Sequence, residues 1–155
     1  EGILGSGATH AILRTSWVVS AHSNNFVKTM LRLSETRDTL NVVADQIGGP
    51  TPARDIAGAC LMISLRLQED HSKSGIYHYS GAPNVSWAGF AAEIFAQTSR
   101  SVTVIPITTA EYPTAVKRPL NSRMDCSLIN SKFGIKQPDW RIGLQSILKD
   151  LEVTV

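Results

Sequence analysis

Short strand-like runs alternate with amphipathic helical patterns along the whole chain, and this alternation constrains the fold more than any other feature. Runs rich in apolar and β-branched residues predict strands at residues 10–16, 39–44, 75–80 and 102–107. Apolar residues at helical spacing predict helices that begin at Phe26, span residues 54–67, begin after Ser86, run from Asp125 to Gly134 and span residues 140–151. Strands that alternate with helices favour an α/β fold.

Residues with known preferences for helix ends support these predictions. Asn24 or Asn25 is placed to cap the helix that begins at Phe26, and Ser86 to cap the third helix. Gly134 is a residue type that commonly follows the end of a helix. Trp87 and Trp140 fall on apolar helix faces, so both are predicted to be core residues.

Composition describes an ordinary globular chain that could form one compact domain or one half of a larger one. The 155 residues are 43% hydrophobic and 18% charged, with a formal net charge of +2. The absence of a Lys/Arg cluster argues against nucleic acid as a partner. No apolar run is long enough to span a membrane, so no membrane association is expected. The chain begins with Glu1 rather than Met, which fits a fragment of a longer protein.

The cysteines give no sign of a metal site or of an oxidising compartment. Cys60 and Cys126 stand far apart in the sequence and do not form a metal-binding pair. Cys60 lies in the apolar run of residues 56–63 and is predicted to face the core, with Ile63 and Leu67. A cytoplasmic location is the expectation for such a chain.

No complete catalytic constellation is present in the sequence. Gly-x-Gly-x-x-Gly, the Walker loop, His-Glu-x-x-His and Gly-x-Ser-x-Gly are all missing. The histidines are scattered, without the spacing that metal ligation needs. What the chain does offer is polar and aromatic side chains at predicted strand ends, where open α/β sheets bind ligands: Trp17, Asn24, Asn25, Asp45, Gln46, Arg118 and Asn121. These residue types suit a small ligand that carries phosphate, a sugar or a base.

Several ordered stretches resemble one known family. They are "ILRTSWV", "NNFVKTMLRL", "DQIGGPT", "GIYHYSGAPNVSWAGFA", "EYPT", "RPLNSRMD" and "PDWRIGL". In order and spacing they are similar to the dTDP-4-dehydrorhamnose reductases, which are extended short-chain dehydrogenase/reductases that act on nucleotide sugars. The resemblance covers nearly the whole chain, but it corresponds to roughly the C-terminal half of such an enzyme.

The resemblance implies that the two halves of the full-length enzyme have different roles. Family members bind NADPH, with NADH possible, through a glycine-rich loop and use a Tyr-x-x-x-Lys pair, and both elements would lie upstream of Glu1. No catalytic residue is therefore expected in this chain, and the chain alone should not turn over substrate. Residues 1–20 would be the last part of the cofactor-binding sheet, with Thr15 and Ser16 near the cofactor. Residues 21–155 would form the sugar-nucleotide-binding region, with short strands and helices.

The resemblance also implies roles for the strand-end residues. Trp17 would pack against the sugar, although a tryptophan there also suits the rim of a core. Asn24 and Asn25 would contact the nucleotide sugar, or one of them would only cap a helix. Arg118 would clamp the diphosphate through its planar guanidinium, or be an ordinary solvated loop residue.

Other positions leave alternatives open. Asp45 and Gln46 would orient the ligand or simply hold their loop. Val19 and Ser20 stand where the family commonly has Tyr-Gly, which favours as an alternative a non-catalytic regulatory or binding subunit of the same fold. A related reductase or epimerase for another sugar is a further alternative.

The last expectations concern metal and assembly. Arg54 replaces an acidic residue that some members use in a magnesium-bridged dimer, so no magnesium site is predicted here. A half enzyme would expose apolar surface, so a homodimer or a swapped assembly is expected.

Overall fold

The computed structural model describes residues 2–153, and its longest strand pairings are parallel. Strand β1 (Ala11–Arg14) pairs in parallel with β6 (Gly75–His78). Strand β3 (Thr39–Val43) pairs in parallel with β8 (Thr103–Ile107). Parallel strands joined through helices confirm the predicted α/β class, and the strands lie within the predicted ranges.

Two shorter pairings were not predicted from the sequence. Strand β2 (Val18–Val19) runs parallel to β5 (Thr51–Pro52). Strand β4 (Ile47–Gly48) runs antiparallel to β7 (Val85–Ser86). Strands of two residues show no alternation that a sequence pattern could detect. They nevertheless bring the chain after β1, the loop of residues 47–52 and the start of α4 (Trp87–Gln97) into contact.

The helices are α1 (Gly2–Gly5), α2 (Phe26–Leu33), α3 (Ala53–Glu69), α4 (Trp87–Gln97), α5 (Ser127–Phe133) and α6 (Trp140–Asp150). Helices α2 to α6 begin and end close to the predicted positions, whereas α1 was not predicted. Short 3-10 turns lie at His71–Lys73 and Thr109–Glu111. Within residues 2–153, no helix combines the length and the apolar content needed to cross a bilayer.

The helix ends follow local chemistry, as predicted. The Asn25 side chain accepts a hydrogen bond from the Lys28 amide, which resolves the choice between the paired asparagines. Ser86 accepts from the Gly89 amide at 3.0 Å. Gly134 ends α5 with φ +71°, a left-handed conformation that glycine adopts without strain.

Two apolar cores organise the chain. The larger lies between α2, α4, α6 and β3, and its centre contains Val27, Phe90, Ile94, Leu144 and Leu148. Trp140 belongs to it and is 2% exposed, which confirms its predicted core position. The smaller core packs α3 and α5 against β1 and β6 and includes Ile63, Tyr77, Ile129 and Phe133.

The predicted inner face of α3 is wrong in one place. Ile63 and Leu67 are buried as expected, but Cys60 is exposed. Leu61 and Leu65, which are 64% and 52% exposed, also face outward. Apolar residues occur on more than one side of α3, so the sequence pattern does not define a single inner face.

Strand β1 does not pair within the first twenty residues. Its partner is β6, which lies about sixty residues later along the chain and belongs to the region predicted to bind the nucleotide sugar. The sheet that contains β1 therefore includes residues from both predicted regions. The proposed boundary between residues 20 and 21 stays a prediction.

Candidate functional site

A cleft of about 940 Å³ lies between α2, β3 and the segment after β8. Its volume falls in the range of small-molecule sites. Its aromatic and polar lining includes Trp17, Phe26, Arg37, Gln46, Trp87, Glu111, Tyr112 and Arg118. Three of the residues predicted from the sequence to bind substrate, Trp17, Gln46 and Arg118, thus meet in one hollow although they are far apart in the chain.

The indole of Trp17 is enclosed on both faces. One face stacks on Trp87, with ring centroids 3.5 Å apart and planes inclined by 10°. A Cβ atom built on Gly48 would lie 2.7 Å from Cε2 of Trp17 and 2.9 Å from Nε1. Cε2 is bonded to three ring atoms, which block a close approach within the plane of the ring. The Cβ atom at residue 48 would therefore meet the face of the indole. Because Trp87 occupies one face, Gly48 covers the other, and a ligand in the cleft meets the edge of the Trp17 ring.

Trp87 packs against the larger core, as its helical position predicted, but it is not fully part of that core. It is half-buried and lines the cleft, because Trp17 packs on it from a distant part of the chain. Phe26 lies 4.5 Å from the Trp87 ring by centroid, and Phe90 lies 5.6 Å from Phe26. Phe90 in turn contacts Trp140 edge to face at 5.1 Å. These aromatic rings form a continuous series from the cleft into the larger core, which fixes the cleft wall rigidly.

Asp45 and Gln46 hold the start of the loop after β8. The Asp45 carboxylate accepts a hydrogen bond from the Thr109 amide at 3.0 Å and from its hydroxyl at 2.6 Å. Gln46 Nε2 donates to Thr109 Oγ1 at 3.1 Å. The hydroxyl and amide of Thr109 lower the pKa of Asp45 by stabilising its charged form. Asp45 therefore has the loop-holding role, and Gln46 combines that role with a place in the cleft wall.

The end of the same loop is also anchored. The Ile47 amide donates to the Leu120 carbonyl at 2.9 Å, and the Ser122 amide donates to the Ile47 carbonyl at 2.8 Å. Arg118 lies just before this anchor, exposed to solvent and on the cleft wall. The contacts that follow it keep this part of the chain at the cleft, while Arg118 stays exposed.

The charges that line the cleft favour an anion. Arg37 and Arg118 contribute two guanidinium groups, against the one carboxylate of Glu111. Glu111 accepts hydrogen bonds from the amide and hydroxyl of Thr108, both at 2.8 Å, and these bonds lower its pKa. Glu111 is thus bonded within its own turn. The planar guanidinium groups of Arg37 and Arg118 match the geometry of phosphate oxygens.

Six predicted site residues are not on the cleft wall: Thr15, Ser16, Asn24, Asn25, Asp45 and Asn121. The Asn121 side chain accepts a hydrogen bond from the Arg123 amide at 3.1 Å. Asn24 is exposed. The Asn25 side chain caps α2 and donates a hydrogen bond to the Ser20 carbonyl at 2.7 Å. Thr15 and Ser16 follow β1, on the chain leading to Trp17. Within residues 2–153, Thr15 Oγ1 is buried and has no hydrogen-bond partner. Ser16 Oγ donates to the Ser122 carbonyl at 3.4 Å.

Phe26, Arg37, Trp87 and Tyr112 line the cleft but were not predicted from the sequence. Phe26 and Trp87 had the signature of helix-face core residues, and only the distant Trp17 shows their second role. Tyr112 occurs in the quoted stretch "EYPT", which was the one available signal. Among residues 2–153, no group of three histidine, cysteine or carboxylate side chains is arranged to hold a metal ion.

Residues 1–153 match the family described as the RmlD substrate binding domain. The chain belongs to this family. Its relatives include the dTDP-4-dehydrorhamnose reductase of Aggregatibacter actinomycetemcomitans, which is 49% identical over 88% of this chain and 49% of its own length. The RmlD substrate binding domain match and this identity confirm the resemblance drawn from the ordered stretches.

Solved structures agree with the family assignment. A dTDP-4-dehydrorhamnose reductase from Clostridium acetobutylicum superimposes with a TM-score of 0.81 at 35% identity, over 92% of this chain and 49% of that one. The enzyme from Bacillus anthracis, solved in complex with NADP, gives 0.79 at 38% identity, over 90% of this chain and 48% of that one. This RmlD substrate binding domain thus spans about half the length of the relatives that it matches.

Proposed function

We propose that this chain is the sugar-nucleotide-binding half of an NADPH-dependent dTDP-4-dehydrorhamnose reductase. The reaction would convert dTDP-4-dehydro-L-rhamnose to dTDP-L-rhamnose, for the synthesis of surface polysaccharide. The observation that carries the proposal is the meeting of Trp17, Gln46 and Arg118 in one cleft, in a chain of this family.

The residues of this chain would bind and orient the substrate rather than react with it. Arg118 and Arg37 would neutralise the diphosphate, since guanidinium groups pair with phosphate oxygens. The edges of Trp17 and Trp87 would contact apolar parts of the ligand and exclude water from them. The contacts of Asp45 and Gln46 with Thr109 would keep the loop and its arginine in place before the ligand arrives.

The hydride would come from the nicotinamide of NADPH, bound mainly by a half of the protein outside this chain. NADH is the second candidate, and the NADP complex of the Bacillus anthracis enzyme favours NADPH. Thr15 fits a position near the cofactor because its buried hydroxyl lacks a partner among residues 2–153. A tyrosine of the upstream half would donate the proton to the developing alkoxide, so this chain contributes orientation to the reaction.

Assembly and location follow from the same proposal. The outward side of α3 exposes Leu61, Met62 and Leu65, which is apolar surface that another protein segment would cover. A homodimer or a swapped assembly would bury it. We place the protein in the cytoplasm, where dTDP-sugars are made, and expect neither nucleic acid nor a membrane as partner.

The alternative is a regulatory or binding subunit of the same fold. It is favoured by Val19 and Ser20, which replace the Tyr-Gly that commonly follows the site tryptophan in the family. In the structure Val19 is buried and Ser20 bonds to its own loop, so neither supplies the phenol that a tyrosine would bring. Such a subunit would bind a nucleotide sugar without reducing it.

Turnover separates the two proposals. The full-length protein is mixed with NADPH and dTDP-4-dehydro-L-rhamnose, and the NADPH absorbance is followed. A reductase consumes NADPH only when the dehydro-sugar nucleotide is present, whereas a regulatory subunit leaves the absorbance unchanged. The reading frame upstream of Glu1 gives an independent check, because without a glycine-rich loop and a Tyr-x-x-x-Lys pair the reductase proposal fails.

A further inference from the structure

Thr51 bonds to the backbone on both sides of Trp17. Its backbone amide donates to the Trp17 carbonyl at 3.0 Å, and its hydroxyl donates to the Ser16 carbonyl at 2.8 Å. Thr51 is 0% exposed, so water does not compete for either bond.

These two bonds act on the groups that define the backbone conformation of Trp17. The Ser16 and Trp17 carbonyls belong to the peptide planes before and after the Trp17 α-carbon, and the orientation of those planes defines φ and ψ of Trp17. Along an extended strand successive carbonyls point to opposite sides, so one residue does not normally reach both. Here it reaches both because Trp17 has φ +50°, in the left-handed region. Bulky residues stay in that region only where the surrounding structure enforces it.

The conformation of Trp17 decides where its indole lies. Once both peptide planes are fixed, the direction of the bond from Cα to Cβ is fixed as well. From that direction the ring enters the space between Trp87 and Gly48 and reaches the cleft wall. We infer that Thr51 is a positioning residue, which holds Trp17 in the left-handed conformation that places its indole at the cleft. That this placement serves a sugar nucleotide rests on the function proposed above.

A single substitution can remove the hydroxyl of Thr51 and leave its packing in place. Besides the Ser16 carbonyl, it lies 3.0 Å from the Gly49 carbonyl and accepts a hydrogen bond from the Gly81 amide at 3.2 Å. Valine has nearly the same shape but no hydroxyl, so Thr51→Val removes these bonds and keeps the packing. Thr51→Ser keeps the hydroxyl and removes only a methyl group.

A matched control exists elsewhere in the chain. Thr98 is also a buried threonine, and its hydroxyl donates to the Ile94 carbonyl at 2.9 Å. It follows the C-terminal end of α4, whereas Trp87 begins that helix, which separates the two by roughly 16 Å. Thr98→Val therefore removes a comparable buried hydrogen bond far from the Trp17 ring.

The test observes the indole directly, by NMR of the full-length protein, with Trp17→Phe and Trp87→Phe to assign the signals. Ring protons of Trp17 stacked on Trp87 resonate far from their free positions. We expect Thr51→Val to move them toward the free positions, while Thr51→Ser and Thr98→Val leave them in place. Unmoved Trp17 signals in Thr51→Val overturn the inference.

If Thr51→Val fails to fold, the scalar coupling across the hydrogen bond from the Thr51 amide to the Trp17 carbonyl is measured in the wild-type protein, and its absence overturns the inference.

A binding measurement separates this inference from the proposed function. Calorimetric titration with dTDP-L-rhamnose should show roughly tenfold weaker binding for Thr51→Val, because the ligand must then bring the indole into place without the hydrogen bond that held it there. Thr51→Ser should restore the affinity. If the Trp17 signals move but the affinity does not change, Thr51 still positions the indole, and it is the proposed contact of Trp17 with the sugar nucleotide that fails. If dTDP-L-rhamnose does not bind the wild-type protein at all, the proposed function fails.

Discussion

The indoles of Trp17 and Trp87 stack with centroids 3.5 Å apart although seventy residues separate them in the sequence. One tryptophan follows strand β1 and the other begins helix α4. Their contact therefore joins the end of a parallel strand to the helix at the centre of the larger core. It makes the cleft wall part of the folded core rather than a surface loop.

The first prediction is an energetic coupling between the two indoles. Trp17→Ala and Trp87→Ala should each lower the free energy of unfolding, and the double variant should lose less than the sum of the two. An aromatic pair of this kind contributes about 0.5 to 1.5 kcal/mol beyond its buried area. Urea unfolding of the single and double variants measures the coupling. Strictly additive losses would show that the stacked pair does not form in solution.

The second prediction concerns the glycine that covers the other face of Trp17. A Cβ atom at residue 48 would lie 2.7 Å from the Trp17 ring, so Gly48→Ala must displace the ring or the loop. We expect a loss of about 1 to 3 kcal/mol in unfolding free energy, typical of overpacking, and weaker binding of dTDP-L-rhamnose.

Gly58→Ala is the matched control for this change. A Cβ atom there meets nothing within 4 Å, and the residue lies inside helix α3. Alanine is favoured over glycine in a helix interior, so this variant should gain about 0.5 to 1 kcal/mol in stability. A Gly48→Ala protein as stable as the wild type would contradict the close approach of the loop to the indole.

Local signals predicted the elements of this fold well. Asn25 and Gly134 cap helices through contacts within a few residues of themselves, so short stretches of sequence contain the whole cause. The longer strands have enough alternating or β-branched residues to be recognised. Two-residue strands such as β2 and β4 do not, because they exist only through a partner far along the chain.

The errors concern which face of an element is covered. Cys60 was predicted to face the core, but α3 has apolar residues on several sides and packs with Ile63 and Leu67 inward instead. Trp87 packs against the core as predicted, but helical spacing cannot show its stacking partner seventy residues away. The strand-end rule selected Trp17, Gln46 and Arg118, which line one cleft, but it also selected Asn24, Asn25, Asp45 and Asn121, which do not. Whether these residues bind a substrate stays a prediction.

The third prediction tests the contact between Asp45 and Thr109. Because the pKa of Asp45 is lowered in the folded protein, the contact contributes stability above the unfolded value of 3.8. That contribution is lost as the pH falls through the lower folded pKa. The protection of the Thr109 amide against hydrogen exchange, relative to the intrinsic exchange rate at the same pH, should therefore stay high at pH 5 and fall only in stronger acid.

Asp45→Asn should lower the protection of this amide above the folded pKa of Asp45, because the neutral amide accepts a weaker hydrogen bond than a carboxylate does. In stronger acid, where Asp45 is itself protonated, the two proteins should converge. Asp38→Asn, at an exposed carboxylate just before β3, serves as the control and should leave Thr109 unchanged. Equal protection in Asp45→Asn and wild type above the folded pKa would show that another group holds the loop.

The fourth prediction assigns the diphosphate to Arg118. Arg118→Ala should weaken binding of dTDP itself by about tenfold, the loss expected for one charge-assisted hydrogen bond at an exposed site. Arg123→Ala removes an exposed arginine of the same segment that is not on the cleft wall, and it should have little effect. Calorimetry with dTDP and with dTDP-L-rhamnose distinguishes the ligand parts. If Arg118→Ala affects only the contribution of the sugar, the diphosphate lies elsewhere.

The fifth prediction concerns Tyr79, which lies buried in the smaller core just after strand β6. Burial, together with the nearby acidic groups of Asp55 and Cys126, raises the pKa of its phenol to about 12. Because the unfolded chain ionises this phenol near its ordinary value of 10.0, the protonated form stabilises the fold below pH 10. That stability is lost as the pH rises through the folded pKa.

Tyrosinate absorbance should therefore show a late step near pH 12 that Tyr79→Phe removes, whereas Tyr112→Phe, at the exposed cleft tyrosine, should retain it. A late step that survives in Tyr79→Phe would assign the raised pKa to another tyrosine, with Tyr77, whose pKa burial also raises, as the first candidate.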